Sequence, residues 1–206
     1  MNDKRFCFSA ETDASVLKEK LLSFAAERQM ENLARAVEYA ETKHDGQWRK
    51  KTDAAAADVP YIRHPFLLAY HAAACGFADE DLLCAMLLHD VPEDTGTAAE
   101  DLPFPARVQA IVALVTKKKG YIEEEYYAAI AKDPDACTVK LFDRCGNLSE
   151  MYAGFKTEKM GQYVEETVTY ILPLADAAVK RHGEKVFPVL YQMDALVNTI
   201  RRLTKG

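Results

Sequence analysis

Leu82-Leu83-Cys84-Ala85-Met86-Leu87-Leu88 runs without a break into His89-Asp90-Val91-Pro92-Glu93-Asp94-Thr95. The first seven residues have no polar face, so as a helix they must be covered on every side, and they predict the most buried element of the fold. Asp79 stands where an N-cap for that helix belongs. The run is far shorter than the roughly 18 residues a membrane-spanning helix requires, so no span is expected. The segment after Leu88 is the reverse in character. Four ionisable groups fall within six residues at the margin of a core, where unpaired charge is costly unless something compensates it. A divalent cation off the helix end would do so, with His89 and Asp90 both in reach. The plain alternative is an acidic loop facing solvent.

Outward from that segment the periods are helical. Leu17, Leu21 and Phe24 recur behind a Thr12 or Asp13 cap and predict a helix over 13–28, and Leu33, Val37, Ala40 and His44 predict a second over 30–43. Residues 45–60 read as a loop with an inserted tip at 52–59. Pro65 is read as the first residue of a helix that starts beside His64 and ends near Gly76. Segments 105–117, 120–132 and 134–151 read as three more helices. Residues 159–203 read as two or three, interrupted around Pro173, Gly183 and Pro188. The expectation is an all-α fold, one helical bundle of roughly eight to ten helices over residues 1–206.

Composition narrows the function. The chain has 206 residues, 49% hydrophobic and 28% charged, which suits a chain able to bury a sizeable core. Twenty-six basic against thirty-two acidic residues give a net charge of −6, which disfavours wrapping around nucleic acid. An anionic ligand would therefore need a local basic patch. Five cysteines with no C-x-x-C pair read as reduced core thiols. With neither a secretory signal nor a span, the expected address is the cytoplasm and no membrane partner is expected.

A second constellation lies on the helix predicted over 134–151. Cys137, Leu141, Cys145 and Leu148 share one side, while Lys140, Asp143, Arg144 and Asn147 fall on an adjoining polar stripe. A surface salt-bridge ladder would look the same. His44-Asp45 reads more plainly as a packed histidine beside a capping carboxylate. His71 lies about 10 Å along the helix from His64, too far to share an ion with it, and reads as structural. His182, beside Gly183, reads as a helix-end cation. Lys117, Lys118 and Lys119 read as a solvated helix end or as a run that attracts a polyphosphate, and Trp48, Tyr126 and Tyr127 as packing residues or loop anchors rather than base-stacking platforms.

Five stretches occur in an order that spells a family: HDGQWRK at 44–50, YIRHP at 61–65, LLHDVPEDT at 87–95, VTKK at 115–118 and KLFDRCGNL at 140–148. The chain resembles the HD-superfamily hydrolase domain of RelA/SpoT proteins, in the form of a stand-alone small alarmone hydrolase, over roughly residues 33–151. The resemblance implies a manganese-dependent enzyme that removes the 3′-pyrophosphate of ppGpp or pppGpp to give GDP or GTP. Carried across by position, it makes His64, His89, Asp90 and Asp143 the metal ligands and Glu93 and Asp94 the acids that handle the attacking water. Arg49, Lys50 and Asn147 would meet the nucleotide, with Lys140 and Arg144 as further candidates for phosphate charge. Mn²⁺ or Fe²⁺ suits two imidazoles and two carboxylates with open positions better than a closed zinc site does.

The chain also departs from the pattern. Its 50–61 connection is longer than usual, Gly146 stands where the family often has histidine, and Pro92 replaces an apolar residue. No synthetase domain is expected within 206 residues. Two other readings stand beside this one: an HD phosphohydrolase for a different nucleotide, such as a 5′-nucleotidase or a dinucleotide phosphatase, and a non-catalytic alarmone-binding module. The partner expected is a small guanosine polyphosphate; the sequence leaves the oligomeric state open.

Overall fold

The computed structural model describes residues 13–49 and 58–204. Among them no strand forms, and the β-like contact is an isolated antiparallel bridge between Trp48 and Pro60. The helices are α1 (Ala14–Arg28), α2 (Glu31–Lys43), α3 (Arg63–Ala74), α4 (Glu80–Leu88), α5 (Val91–Thr95), α6 (Ala106–Val115), α7 (Glu123–Ile130), α8 (Pro134–Glu150), α9 (Thr157–Glu166), α10 (Ala175–His182) and α11 (Phe187–Thr204). Ten of these have eight residues or more, in line with the expected count, and α5 is a five-residue addition. No helix among the described residues is long and apolar enough to cross a membrane.

Local chemistry sets the ends. Asp13 accepts from the Ser15 amide at 2.8 Å and Asp79 from the Leu82 amide at 3.0 Å, so both act as N-caps. Asp133 accepts from the Asp135 and Ala136 amides, with Pro134 as the first residue of α8. Gln29 adopts a left-handed conformation at φ 57° and closes α1 with backbone bonds to Ala25 and Ala26. Pro65 is the third residue of α3 rather than its first, which is tolerated because its missing N–H is still one of the unpaired donors of the first turn. α7 begins at Glu123, later than expected, where three glutamates meet the positive end of the helix.

α4 is the centre, as its sequence requires. Every residue from 82 to 88 is 0% exposed, and α4 packs on α2, α3, α6 and α8. Each such leucine contributes roughly 1.5–3 kcal/mol relative to leaving it in water. α8 is the second buried axis, with all residues from 135 to 145 inside. It touches α3, α4 and α6 on one side and α10 and α11 on the other. Residues 157–204 are nearly continuous helix. A π-helical turn (Thr167–Ile171) and a 3-10 turn (Leu172–Leu174) take up the missing Pro173 donor. Pro188 stands in the first turn of α11 and so does not interrupt it.

Cys84, Cys137 and Cys145 are buried and Cys75 partly so, all as free thiols, while Cys7 lies outside the described residues. Burial pushes the Cys75 thiol up to about 11, and those of Cys137 and Cys145 to about 12. None is reactive near neutrality.

Candidate active site

α4 ends by delivering His89 and Asp90, and Asp90 is also the residue from which the short α5 starts. α3 brings His64 in its first turn, and α8 brings Asp143 at mid-length. Ligand atoms of His64, His89 and Asp90 all lie within 4.8 Å of one another. Asp143 Oδ1 completes the set, at 3.3 Å from His64 Nε2 and 3.7 Å from His89 Nε2. Asp90 Oδ2 is 3.0 Å from His89 Nε2 and 3.9 Å from His64 Nε2. Donors about 2.1 Å from an ion stand about 3.0 Å apart in an octahedron and about 3.4 Å apart in a tetrahedron. The 3.0 and 3.3 Å spacings match those values and the 3.7 and 3.9 Å spacings are wider, so His64, His89 and Asp90, with Asp143 beside them, could hold one cation.

The hydrogen bonds support the same reading. His89 Nδ1 lies 2.8 Å from the Met86 carbonyl, which fixes its proton there and turns the Nε2 lone pair inward. The Nε2 atoms of His64 and His89 are buried without a hydrogen-bond partner. Two orphaned imidazole nitrogens facing two carboxylates fit a divalent metal. Burial opposes ionisation of Asp90, but the His89 imidazole outweighs it and holds the carboxyl below its ordinary value. Burial likewise opposes ionisation of Asp143, and the Lys140 ammonium at 2.8 Å reverses the sign.

The paired acids diverge. Glu93 Oε1 accepts from the Lys117 amide at 2.5 Å, and burial pushes its carboxyl above the usual range. Asp94 is exposed, and its carboxyl is raised by partial desolvation and then by the Asp90 charge. It lines a cavity of about 670 Å³ together with Arg49, Tyr61, Arg63, Asn147 and Glu150. Gly96, at φ 71°, caps α5 two residues after Asp94.

Asn147 Nδ2 donates to Asp143 Oδ1 at 2.6 Å, and Arg49 Nη2 donates to Asn147 Oδ1 at 3.2 Å, so both join the centre. The base of the connecting loop is pinned by Arg49 N–H to the Val59 carbonyl at 2.8 Å. Lys50 and residues 52–57 of the loop tip lie outside the described residues. Trp48 is 57% exposed on the cavity rim, and so is no packing anchor. His44 is packed, as expected, with Nδ1 2.8 Å from Gln47 Oε1 and its ring 4.9 Å from Tyr61. His71 meets Phe142 edge-on at 5.0 Å, and His182 is the last residue of α10, the helix end expected for it, where it also pairs with Asp135 at 2.9 Å.

The polar stripe on α8 is not a surface ladder, and Arg144 is not part of the site. Arg144 is 1% exposed and points to the C-terminal helices, where it donates to Glu166 Oε1 at 2.7 Å and stacks over Tyr163 at 3.8 Å. Burial alone would raise Glu166, but the Arg144 guanidinium brings it down to about 2. Lys140 is buried as well and pairs with Asp143, so its ammonium acts on a ligand candidate and is not free to take up phosphate charge. Replacing Arg144 with methionine is expected to lower stability by about 2 kcal/mol in chemical denaturation, because Glu166 loses its nearest cation and keeps the Tyr127 hydroxyl and the more distant Lys117 ammonium. An unchanged midpoint would contradict that structural role.

Tyr61 carries a role that the sequence did not assign. Its hydroxyl donates to Asp90 Oδ2 at 2.5 Å, and its ring lies between those of His44 and His64. Tyr61→Phe is expected to weaken Mn²⁺ binding about tenfold, measured by competition with a chelator, since outer-shell partners orient ligands. Unaltered affinity would remove Tyr61 from that role.

Among known proteins, the guanosine-3′,5′-bis(diphosphate) 3′-pyrophosphohydrolase of Aquifex aeolicus is 36% identical to this chain over 167 residues, a match over 76% of this chain and 23% of that protein. The chain is 32% identical over 151 residues to the protein of the same activity named MESH1 in Mus musculus, spanning 65% of this chain and 79% of that one. The chain belongs to the guanosine-3′,5′-bis(diphosphate) 3′-pyrophosphohydrolase family. No family model matches it. A solved structure described as a metazoan ortholog of SpoT that hydrolyses ppGpp superposes with a TM-score of 0.63 at 25% identity, over 82% of this chain and 95% of that one. The chain spans less than a quarter of the length of the first bacterial relatives it matches, at 23% and 18%.

Against the pyrophosphohydrolase pattern, Gly146 has a local consequence. A Cβ there would meet Leu68 Cδ1 at 3.1 Å and His64 Cε1 at 3.3 Å. In this family member the missing side chain lets the His64 ring pack directly on α8.

Proposed function

We propose that this chain removes the 3′-pyrophosphate from ppGpp or pppGpp, giving GDP or GTP and pyrophosphate, with Mn²⁺ as the resident metal and the cytoplasm as its place of work. The observation that carries the proposal is the convergence of His64, His89, Asp90 and Asp143, joined through Asn147 and through the Glu93–Asp94 pair to a cavity that Asp94, Asn147 and Arg49 line. Two imidazole nitrogens and two carboxylates suit Mn²⁺ or Fe²⁺. Bound there, the cation supplies Lewis-acid polarisation and makes water acidic enough to furnish hydroxide near neutral pH.

The chain's own groups do the rest. One oxygen of Glu93 is committed to the Lys117 amide, which fixes the carboxylate and leaves the other to receive the proton of the attacking water. Water oxygen bonds to phosphorus, the bond from phosphorus to the 3′ oxygen breaks, and that oxygen takes up a proton from solvent while Glu93 returns its own to solvent. Asp94 faces the cavity and orients the water from the substrate side. Arg49 grips the nucleotide, and Asn147 ties Arg49 to Asp143.

A substrate panel on Mn²⁺-loaded protein tests this. Pyrophosphate release from ppGpp and pppGpp is expected, with ordinary 5′-nucleotides and nicotinamide dinucleotides untouched. Orthophosphate from those alternatives with ppGpp intact would make the protein a different HD phosphohydrolase. Tight ppGpp binding without turnover would make it a binding module.

A further inference from the structure

α8 ends on an acid. Helix C-termini favour cations because their unpaired carbonyls carry partial negative charge, yet the last turn of α8 holds Glu150 and no basic residue. Two guanidiniums from distant parts of the chain hold this carboxylate in place. Arg49 Nη2 donates to Glu150 Oε2 at 3.0 Å, and Arg63 Nη1 donates to Oε1. Asp143, Asn147 and Glu150 stand at i, i+4 and i+7, so one face of α8 runs from a metal-ligand candidate to the far wall of the cavity. Arg49, Arg63 and Glu150 all line that cavity, and Arg49 also lies over the Tyr61 ring at 5.6 Å.

A lone carboxylate on the wall of a pocket for a polyanion would repel its ligand. Between two guanidiniums it does not, since the trio keeps one net positive charge. A free arginine loses rotamer freedom when it grips phosphate, and one already held loses less. We propose that Glu150 is a positioning residue: anchored by Arg63, it presents the Arg49 guanidinium to the anionic groups of the nucleotide. Arg63 is thereby a determinant of affinity although it is not one of the metal-ligand candidates. This rests on the reading of the cavity as the nucleotide site.

GDP is the probe, because its binding needs no turnover. Its dissociation constant is measured by calorimetry on Mn²⁺-loaded wild type, Arg49→Met, Glu150→Gln and the double variant, each checked for folding by circular dichroism. Glu150→Gln is expected to weaken GDP binding about fivefold to tenfold when Arg49 is present and less than twofold when it is absent. Arg63→Met, which leaves the Arg49–Glu150 pair in place, keeps the test available should Glu150→Gln fold poorly; its smaller loss should likewise vanish in the Arg49→Met background. Equal losses in both backgrounds, or binding by Glu150→Gln that is unchanged or tighter, would overturn the proposal. Wild type that binds GDP but releases no pyrophosphate from ppGpp would overturn the hydrolase reading alone, and wild type that binds no GDP would overturn both.

Discussion

Replacing Asp143 with asparagine is expected to empty the metal centre. Metal content after Mn²⁺ loading and desalting should fall to near background, and pyrophosphate release should fall by roughly a thousandfold. Asp143 Oδ1 is the donor that approaches both imidazoles from α8, and an amide supplies no charge to balance the cation. The same change removes the partner of the buried Lys140 ammonium, 2.8 Å away. A stability loss of about 3 kcal/mol should therefore accompany it. Thermal unfolding separates the two effects, because a variant that is folded at the assay temperature yet holds no metal has lost a ligand and not its fold. Full metal content in a folded variant would remove Asp143 from the ligand set.

Glu93→Gln is expected to leave bound metal unchanged and to lower turnover by about 10²–10⁴-fold, the range for loss of a positioned base. The glutamine keeps the Lys117 contact but cannot take a proton. In the wild type the pH profile carries the same information. A base must be deprotonated to work, and burial holds Glu93 above the 4.5 of an unperturbed glutamate. Activity should therefore fall as pH drops through a value higher than that, and this acid limb should be lost in Glu93→Gln. Turnover equal to wild type would assign the base elsewhere.

The parts of this site that are legible in the sequence are those fixed by local pattern. An apolar run that must be buried all round ends on His89 and Asp90, and Asp143 and Asn147 share a face by spacing alone. Arg144 misleads because it lies one residue beyond Asp143. That step turns it roughly 100° around the helix, toward Glu166, which belongs to a segment without a motif. Whether it meets substrate or Glu166 depends on how α9 packs, and spacing on α8 cannot reveal that. Tyr61 and Glu150 are hidden for a related reason. Tyr61 is 29 residues from Asp90, and Glu150 is 87 and 101 residues from its two arginines. One local signal for Glu150 was present: an acid in a last helical turn, in register with Asp143 and Asn147, breaks the helix-end preference and invites a search for cations.

Hydrolysis of ppGpp by Mn²⁺-loaded protein in ¹⁸O-labelled water tests the central claim most directly. Attack on phosphorus should give GDP and pyrophosphate in equal amounts, with the label in pyrophosphate and none on the GDP 3′-hydroxyl. Intact ppGpp, release of orthophosphate, or label on the 3′-hydroxyl would contradict it.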